Sequence, residues 1–195
     1  WDSLFTIIQA CYPIFRILRI ADTMIGGAGD DIYWVDHVGD RVLELAGEGI
    51  DQVRTTLTSY TLGANVENLW YYGTGAFTGT GNGLDNTLIG NGLANTLTAS
   101  AGNDVLDGGA GADTFQWLQG NSGHDVVTDF NPGIDKLDLS QLLQGENGTA
   151  ASLDDYLHFK VTGSGDSLVT SIDVSGMAGA APTQTIDLAG VDLAS

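Results

Sequence analysis

Basic residues are scarce in this chain: six lysines and arginines stand against 25 aspartates and glutamates, giving a formal charge of −19 over 195 residues. A nucleic-acid partner is disfavoured, because phosphate binding needs a basic stripe. Binding to lipid headgroups is disfavoured for the same reason. Cys11 is the only cysteine, so no disulfide can form within the chain and nothing resembles a thiolate metal site. The histidines, His37, His124 and His158, do not fall into H-E-x-x-H or another zinc spacing. There is no Ser/His/Asp elbow. Asp154 with Asp155, or Asp135 with Asp138, has no cleft-forming setting to serve as an acid/base pair. The GGAG run at Gly26 lacks a third glycine, Ile32 standing in its place, and no dinucleotide-binding helix follows. No catalytic residue is assigned, and an enzyme centre within these residues is not expected.

A clean membrane-spanning run is also missing. The opening stretch, WDSLFTIIQACYPIFRILRI, is apolar and glycine-free, but Pro13, Arg16 and Arg19 interrupt it. It lacks the charged n-region and small-residue cleavage site of an N-terminal export signal. Residues 1–21 are left as an unassigned junction, divergent or truncated, ahead of the periodic sequence.

What is abundant is glycine, 28 residues without the triplet period of collagen. From Gly81 to Gln116 it falls into four consecutive nine-residue units: GNGLDNTLI, GNGLANTLT, ASAGNDVLD and GGAGADTFQ. Position six is Asn86, Asn95, Asp104 and Asp113; position eight is Leu88, Leu97, Leu106 and Phe115. Six residues rich in Gly, Asn and Asp make a turn, since these residues tolerate positive φ. The other three make a short strand whose apolar residue points inward. Two units complete a coil, so turns of like parity stack. One inward side chain per unit is too little for an ordinary core, and the position-six carboxylates indicate a hard cation: calcium takes six to eight oxygen ligands, and glycines let backbone carbonyls converge on it.

The register extends both ways. GGAGDDIYW places Asp31 and Tyr33 at positions six and eight, and Asp22 with Met24 fits one unit earlier. Asp40 with Val42, then Asp51 with Val53, continue it. Downstream, GNSGHDVV and FNPGIDKL place Asp125 and Asp135 at position six. Parity pairs Asp22 with Asp40, Asp31 with Asp51, Asn86 with Asp104, Asn95 with Asp113, Asp104 with Asp125, and Asp113 with Asp135. The two Asn-containing pairs should bind an ion more weakly, because fewer charges face it. Residues 55–80 lose the acidic period but keep a strand-like composition. Glu67 and Asn68 there read as turn or ladder groups. Trp70, Tyr71 and Tyr72 read either as an aromatic row covering a face or as a sugar-stacking platform.

The units resemble the G-G-x-G-x-D-x-U-x repeat of RTX calcium-binding proteins. That resemblance implies an all-β fold: a right-handed parallel β-roll, a β-solenoid of nonapeptide repeats, with a β-rich cap. In that family each ion lies between turns n and n+2, bridged by both aspartates and by nearby carbonyls. Carried onto this sequence, it implies several calcium ions held by Asp31, Asp40, Asp51, Asn86, Asn95, Asp104, Asp113, Asp125 and Asp135. Gly26, Ala28, Gly108 and Ala110 would add to the ligand set. The run YTLGANVENLWYYG resembles the longer calcium-free coil inside such rolls. Beyond it, DFNPGIDKLDLSQLLQGE, SLDDYLHFKV and TQTIDLAGVDL resemble the C-terminal target region of proteins exported by type I secretion, which carry an uncleaved C-terminal signal. The expected organisation is therefore a β-roll at 22–140, closing near Asp138 and Ser140, and a target region at 141–195. LHFKVT, SLVTSIDV and TQTIDLAGVDL are its expected strands. The implied partner is the type I secretion apparatus and the implied location is secreted, extracellular or on the bacterial surface. The parent is expected to be a larger extracellular protein, an adhesin ahead of a secreted protease, lipase or epimerase.

Overall fold

The computed structural model describes residues 6–8, 14–15, 20–143, 156–175 and 183–193. The spacer QGENGTAAS, most of the turn SGMAGAAP, and Asp154 with Asp155 lie outside the described residues. Short strands separated by tight turns dominate the rest. The first seven are β1 (Thr6–Ile8), β2 (Ile14–Phe15), β3 (Thr23–Ile25), β4 (Ile32–Val35), β5 (Arg41–Val42), β6 (Gln52–Thr55) and β7 (Ser59–Thr61). Then come β8 (Asn68–Tyr71), β9 (Phe77–Thr80), β10 (Thr87–Ile89), β11 (Asn95–Ala99), β12 (Val105–Asp107), β13 (Thr114–Trp117), β14 (Gly123–Val127) and β15 (Lys136–Asp138).

Successive strands alternate between sheets. The even-numbered strands β2 to β14 pair in parallel in one long sheet; β1, β3 and β5 form a second, and β7 to β15 a third. Parallel strands that alternate between sheets and pair with the next but one are the coils of a β-roll. Pairing already includes β1 with β3 and β2 with β4, so the coils extend into the glycine-free opening stretch.

The position-eight residues form the interior. Tyr33, Val53, Leu69, Leu88, Leu106 and Val127 stand opposite one another in register along the long sheet. All are fully buried. Across from them Leu97 and Phe115 form the facing rungs. Each rung removes one side chain from water, worth roughly 1.5–3 kcal/mol. The interior is therefore narrow: facing files of side chains from two sheets, with Val35, Tyr71, Ala99 and Trp117 buried two residues further along their strands.

The turns can stack this closely only where the stacked backbone meets no Cβ. At Gly123, φ is 145° and a Cβ would lie 1.8 Å from the carbonyl oxygen of Gly102, two turns earlier. Gly123→Ala is therefore expected to lose on the order of 2–3 kcal/mol through the disfavoured φ, with the clash adding to it. Gly92 has open space around it and no positive φ. Gly92→Ala should leave the melting temperature unchanged or raise it, by at most about 1 kcal/mol of stability. Equal effects of the two changes in thermal melts would contradict this packing.

After Asp138 the chain leaves the roll on one face and returns on the other. The three runs marked as strands become β16 (Leu157–Thr162), β17 (Val169–Val174) and β18 (Gln184–Ala189). They pair antiparallel with each other, while β18 joins β14 in parallel and so prolongs the long sheet. Ile172, Val174, Ile186, Leu188 and Val191 are buried, and Leu188 stands opposite Val127. This layer closes the end of the interior file, as a solenoid requires of its last coil.

Candidate metal centre

Each position-six residue ends a turn and starts a strand, which places its side chain between stacked coils. The backbone N–H groups of Asp22, Asp31, Asn86, Asn95, Asp104 and Asp113 donate to Oδ1 of Asp40, Asp51, Asp104, Asp113, Asp125 and Asp135 respectively, over 2.8–3.0 Å. All six parity pairs are thus brought together. Their separations run from 18 to 22 residues, so the pairing survives where extra residues enter a turn. Glu67 joins the same file through Oε2, which accepts the N–H of Asp51 at 2.7 Å.

The second carboxylate oxygen divides these residues into two kinds. In Asp40, Asp104 and Asp135 it accepts a backbone N–H from its own turn, from Asp36, Ser100 and Asn131. In Asp51 and Asp113 the second oxygen, Oδ2, is buried without a donor. A Cβ on Gly108 would lie 2.5 Å from that oxygen of Asp113, and one on Gly26 only 2.2 Å from Oδ2 of Asp31. The first glycine of these turns therefore leaves open the side on which the carboxylate stands. Ala28 and Ala110, at position three, are exposed on the turn surface.

The Asn turns are held by amide donors. Asn86 Nδ2 donates to the carbonyls of Val66 and Glu67, and Asn95 Nδ2 to Gly108 O and Asp113 Oδ1. Position two repeats the device: Asn82 Nδ2 donates to Gly63 O and Val66 O, both at 2.7 Å, and Asn91 Nδ2 to Gly73 O and Gly75 O. Asp125 is a different case. Its Oδ2 accepts Trp117 Nε1 at 2.6 Å and Gln184 Nε2 at 2.7 Å, which ties the last full turn to β18.

Burial raises the pKa of these acids, because a charge removed from water without a partner is disfavoured. Asp104 is pushed up to about 7 by burial and by Asp125, against opposing backbone hydrogen bonds. Asp51 rises to about 6, mainly through burial. Burial also raises Asp22, Asp31, Asp113 and Asp125. Asp138, bonded to Ser140 and Gln116 at the closing strand, is instead lowered. His37 beside Asp22 and His124 beside Asp125 oppose the rise, whereas the charges acting on Asp31, Asp51, Asp104 and Asp113 are acidic.

Several participants escaped the sequence reading. The fifth turn position carries its own ladder: Asp30, Asp85 and Asn103 accept the N–H of Ile50, Asn103 and His124. His124 is exposed and pairs with Asp187 at 2.8 Å. The aromatic triplet is split by strand alternation. Trp70 and Tyr72 face outward, where the Arg54 guanidinium lies 5.5 and 5.7 Å from their ring centroids. Tyr71 faces inward and stacks on Phe77 at 4.2 Å.

Residues 21–36 and 80–115 match the family model of the RTX calcium-binding nonapeptide repeat, in four copies. These two stretches carry RTX nonapeptide repeats. Repeats of this family bind Ca2+, and buried carboxylate oxygens without donors beside open glycine positions fit such an ion. Endo-1,3-1,4-beta-glycanase ExsH of Rhizobium meliloti (strain 1021) is 50% identical over 109 residues, 56% of this RTX chain and 23% of that protein. Endo-1,3-1,4-beta-glycanase EglC of the same strain is 51% identical over 108 residues, 55% of this chain and again 23% of the relative. The RTX chain thus spans less than a quarter of the length of the curated relatives it matches.

Proposed function

We propose that this RTX β-roll holds calcium between stacked turns, folds when the chain leaves the cell, and supports type I secretion of a larger extracellular protein. The observation that carries the reading is the file of buried carboxylates with oxygens that no protein donor reaches. Asp31 with Asp51 and Asp113 with Asp135 are the pairs best suited to an ion. Asp22 with Asp40 and Asp104 with Asp125 follow, together with carbonyls at Gly26, Ala28, Gly108 and Ala110. The Asn86 and Asn95 pairs would hold an ion least well, since a neutral amide replaces one carboxylate. Without calcium the like charges repel, and an unfolded chain can be threaded through a channel. Outside, affinities of about 10⁻⁴–10⁻³ M, common among extracellular calcium modules, lie near ambient calcium levels.

Residues 141–195 are assigned the export-targeting role and 22–140 the calcium-binding role. Two parents are compatible with such a module. The relatives named as glycanases favour an enzyme whose catalytic domain is separate from these residues. The resemblance of the C-terminal stretch to those of large surface proteins favours an adhesin.

Expressed with a complete type I exporter, the chain is expected in the medium, and deletion of residues 141–195 is expected to cut the exported amount at least tenfold. Export that is unchanged by the deletion, measured by immunoblot of cells and medium, would remove the targeting role from this segment.

A further inference from the structure

Glu44 lies outside every repeat position, in the stretch between β5 and β6, yet it is buried beside the first well-formed pair of turns. Oxygens of Asp31, Glu44 and Asp51 lie within 4.8 Å of one another. Ligand oxygens 2.3–2.6 Å from a common calcium ion lie at most about 5 Å apart, and these three meet that spacing. Glu44 is 8% exposed and Asp51 1% exposed, and Glu44 Oε2 and Asp51 Oδ2 have no hydrogen-bond partner.

The remaining contacts hold Glu44 in place and leave that oxygen free. Tyr33 donates its hydroxyl to Oε1, and Asn65 Nδ2 donates to the Glu44 carbonyl at 2.9 Å. The charged groups acting on Glu44 are Asp51, Glu48 and Asp31, all acidic. Those acting on Asp51 are Glu67, Asp31 and Asp30, acidic as well. Three carboxylates facing one another with no cationic side chain among their neighbours lack a positive charge. Among the described residues no other triad of this kind occurs.

We propose that Glu44 is a direct calcium ligand, supplied from outside the nonapeptide repeat, and that it makes the Asp31–Asp51 turn pair a three-carboxylate site that fills before the other sites of the roll. The inference rests on the reading of the stacked acids as calcium-binding. Its charge count is what separates this site from Asp113–Asp135, where two carboxylates face the ion, since calcium affinity in oxygen sites rises with the number of charged ligands.

The test is calcium titration calorimetry of the full chain and of Glu44→Gln, with Asp51→Asn and Asp113→Asn measured alongside. Glu44→Gln keeps the side-chain length and an oxygen for Tyr33. It is expected to weaken the tightest calcium by tenfold or more and leave the weaker ions unchanged. Asp113→Asn should affect a weaker ion and spare the tightest. Terbium luminescence gives a second readout: emission sensitised through Tyr33 should appear with the first equivalent and be lost in Glu44→Gln. A Glu44→Gln isotherm superimposed on that of the native chain, with Asp51→Asn still losing the tightest ion, overturns the role of Glu44 alone. If none of the three changes alters calcium binding, the calcium reading of the stacked acids fails with it. Circular dichroism in saturating calcium checks the fold of each variant, and unchanged terbium emission in a folded Glu44→Gln also overturns the proposal.

Discussion

At pH 7.5 in chelator, the protein is expected to lose its far-ultraviolet β-signal, and to recover it cooperatively when millimolar calcium is restored. The reason lies in what the interior lacks. The facing sheets enclose only a narrow core, from Tyr33 to Val127 on one side and through Leu97 and Phe115 on the other. The turns between them are full of acids: Asp51, Asp104, Asp113 and Asp125 are all at most 1% exposed. None of these four sits in a salt bridge among the described residues. Ionised and unpaired, such groups oppose folding, and the net charge of −19 adds to the opposition. An ion that binds only the folded roll contributes RT ln(1 + [L]/Kd), about 1.4 kcal/mol per site at tenfold excess. Three coupled sites then contribute about 4 kcal/mol, a large part of the 5–15 kcal/mol typical of a whole domain. Circular dichroism during a calcium titration reads the transition directly. A spectrum indifferent to chelator would mean that the acids are not ion ligands.

Much of this was legible because a repeat converts sequence distance into spatial position. Nine residues per turn and two turns per coil put Asn95 beside Asp113, and the hydrogen bond from one to the other is there. The apolar residue at position eight carried the interior in the same way, Leu88 against Leu106 and Leu97 against Phe115. The period still worked where it slipped, because glycines and the acid marked each new turn, as at Gly123 and Asp125. What stayed hidden has no period. Glu67 takes a position-six place in a turn that keeps only Gly63, 16 residues after Asp51. Glu44 enters the first site from a connecting stretch. Gln184 reaches Asp125 across 59 residues of sequence, through a β18 that is antiparallel to its own neighbour and parallel to the roll. Such contacts arise from the docking of one segment on another, and no local pattern encodes them. The Asn turns were legible in position only. That Asn82 and Asn91 direct amide donors into the carbonyls of the stacked turn follows from side-chain orientation, which the repeat does not specify.

Acid is expected to do in part what calcium does. In the folded roll Glu44 and Asp104 have pKa values of about 7 and Asp51 of about 6, against ordinary values of 4.5 for Glu and 3.8 for Asp. An unfolded chain holds the ordinary values, so between about pH 4 and 7 the folded form binds protons that the unfolded form does not. Stability without calcium therefore rises as pH falls through this window. It levels off below about pH 4 and is lowest above about pH 7, where the same carboxylates are charged. Each group contributes up to about 1.4 kcal/mol per pH unit within its own window. In calcium-free buffer, the β-signal absent at pH 8 is expected to return near pH 5, still above the pI of about 4.1, where the chain keeps a net charge. In saturating calcium the sign reverses, because protons compete with the ion for the same oxygens, and acid should lower the melting temperature. Relief of overall repulsion would also favour the folded form in acid, so a variant must separate the two causes. Asp104→Asn has no proton to bind at that position. It should remove up to about 1.4 kcal/mol per pH unit from the calcium-free slope, read from urea melts at the acid end of the window, where the roll is folded. A slope unaltered by that change would assign the acid effect to net charge and not to the buried file.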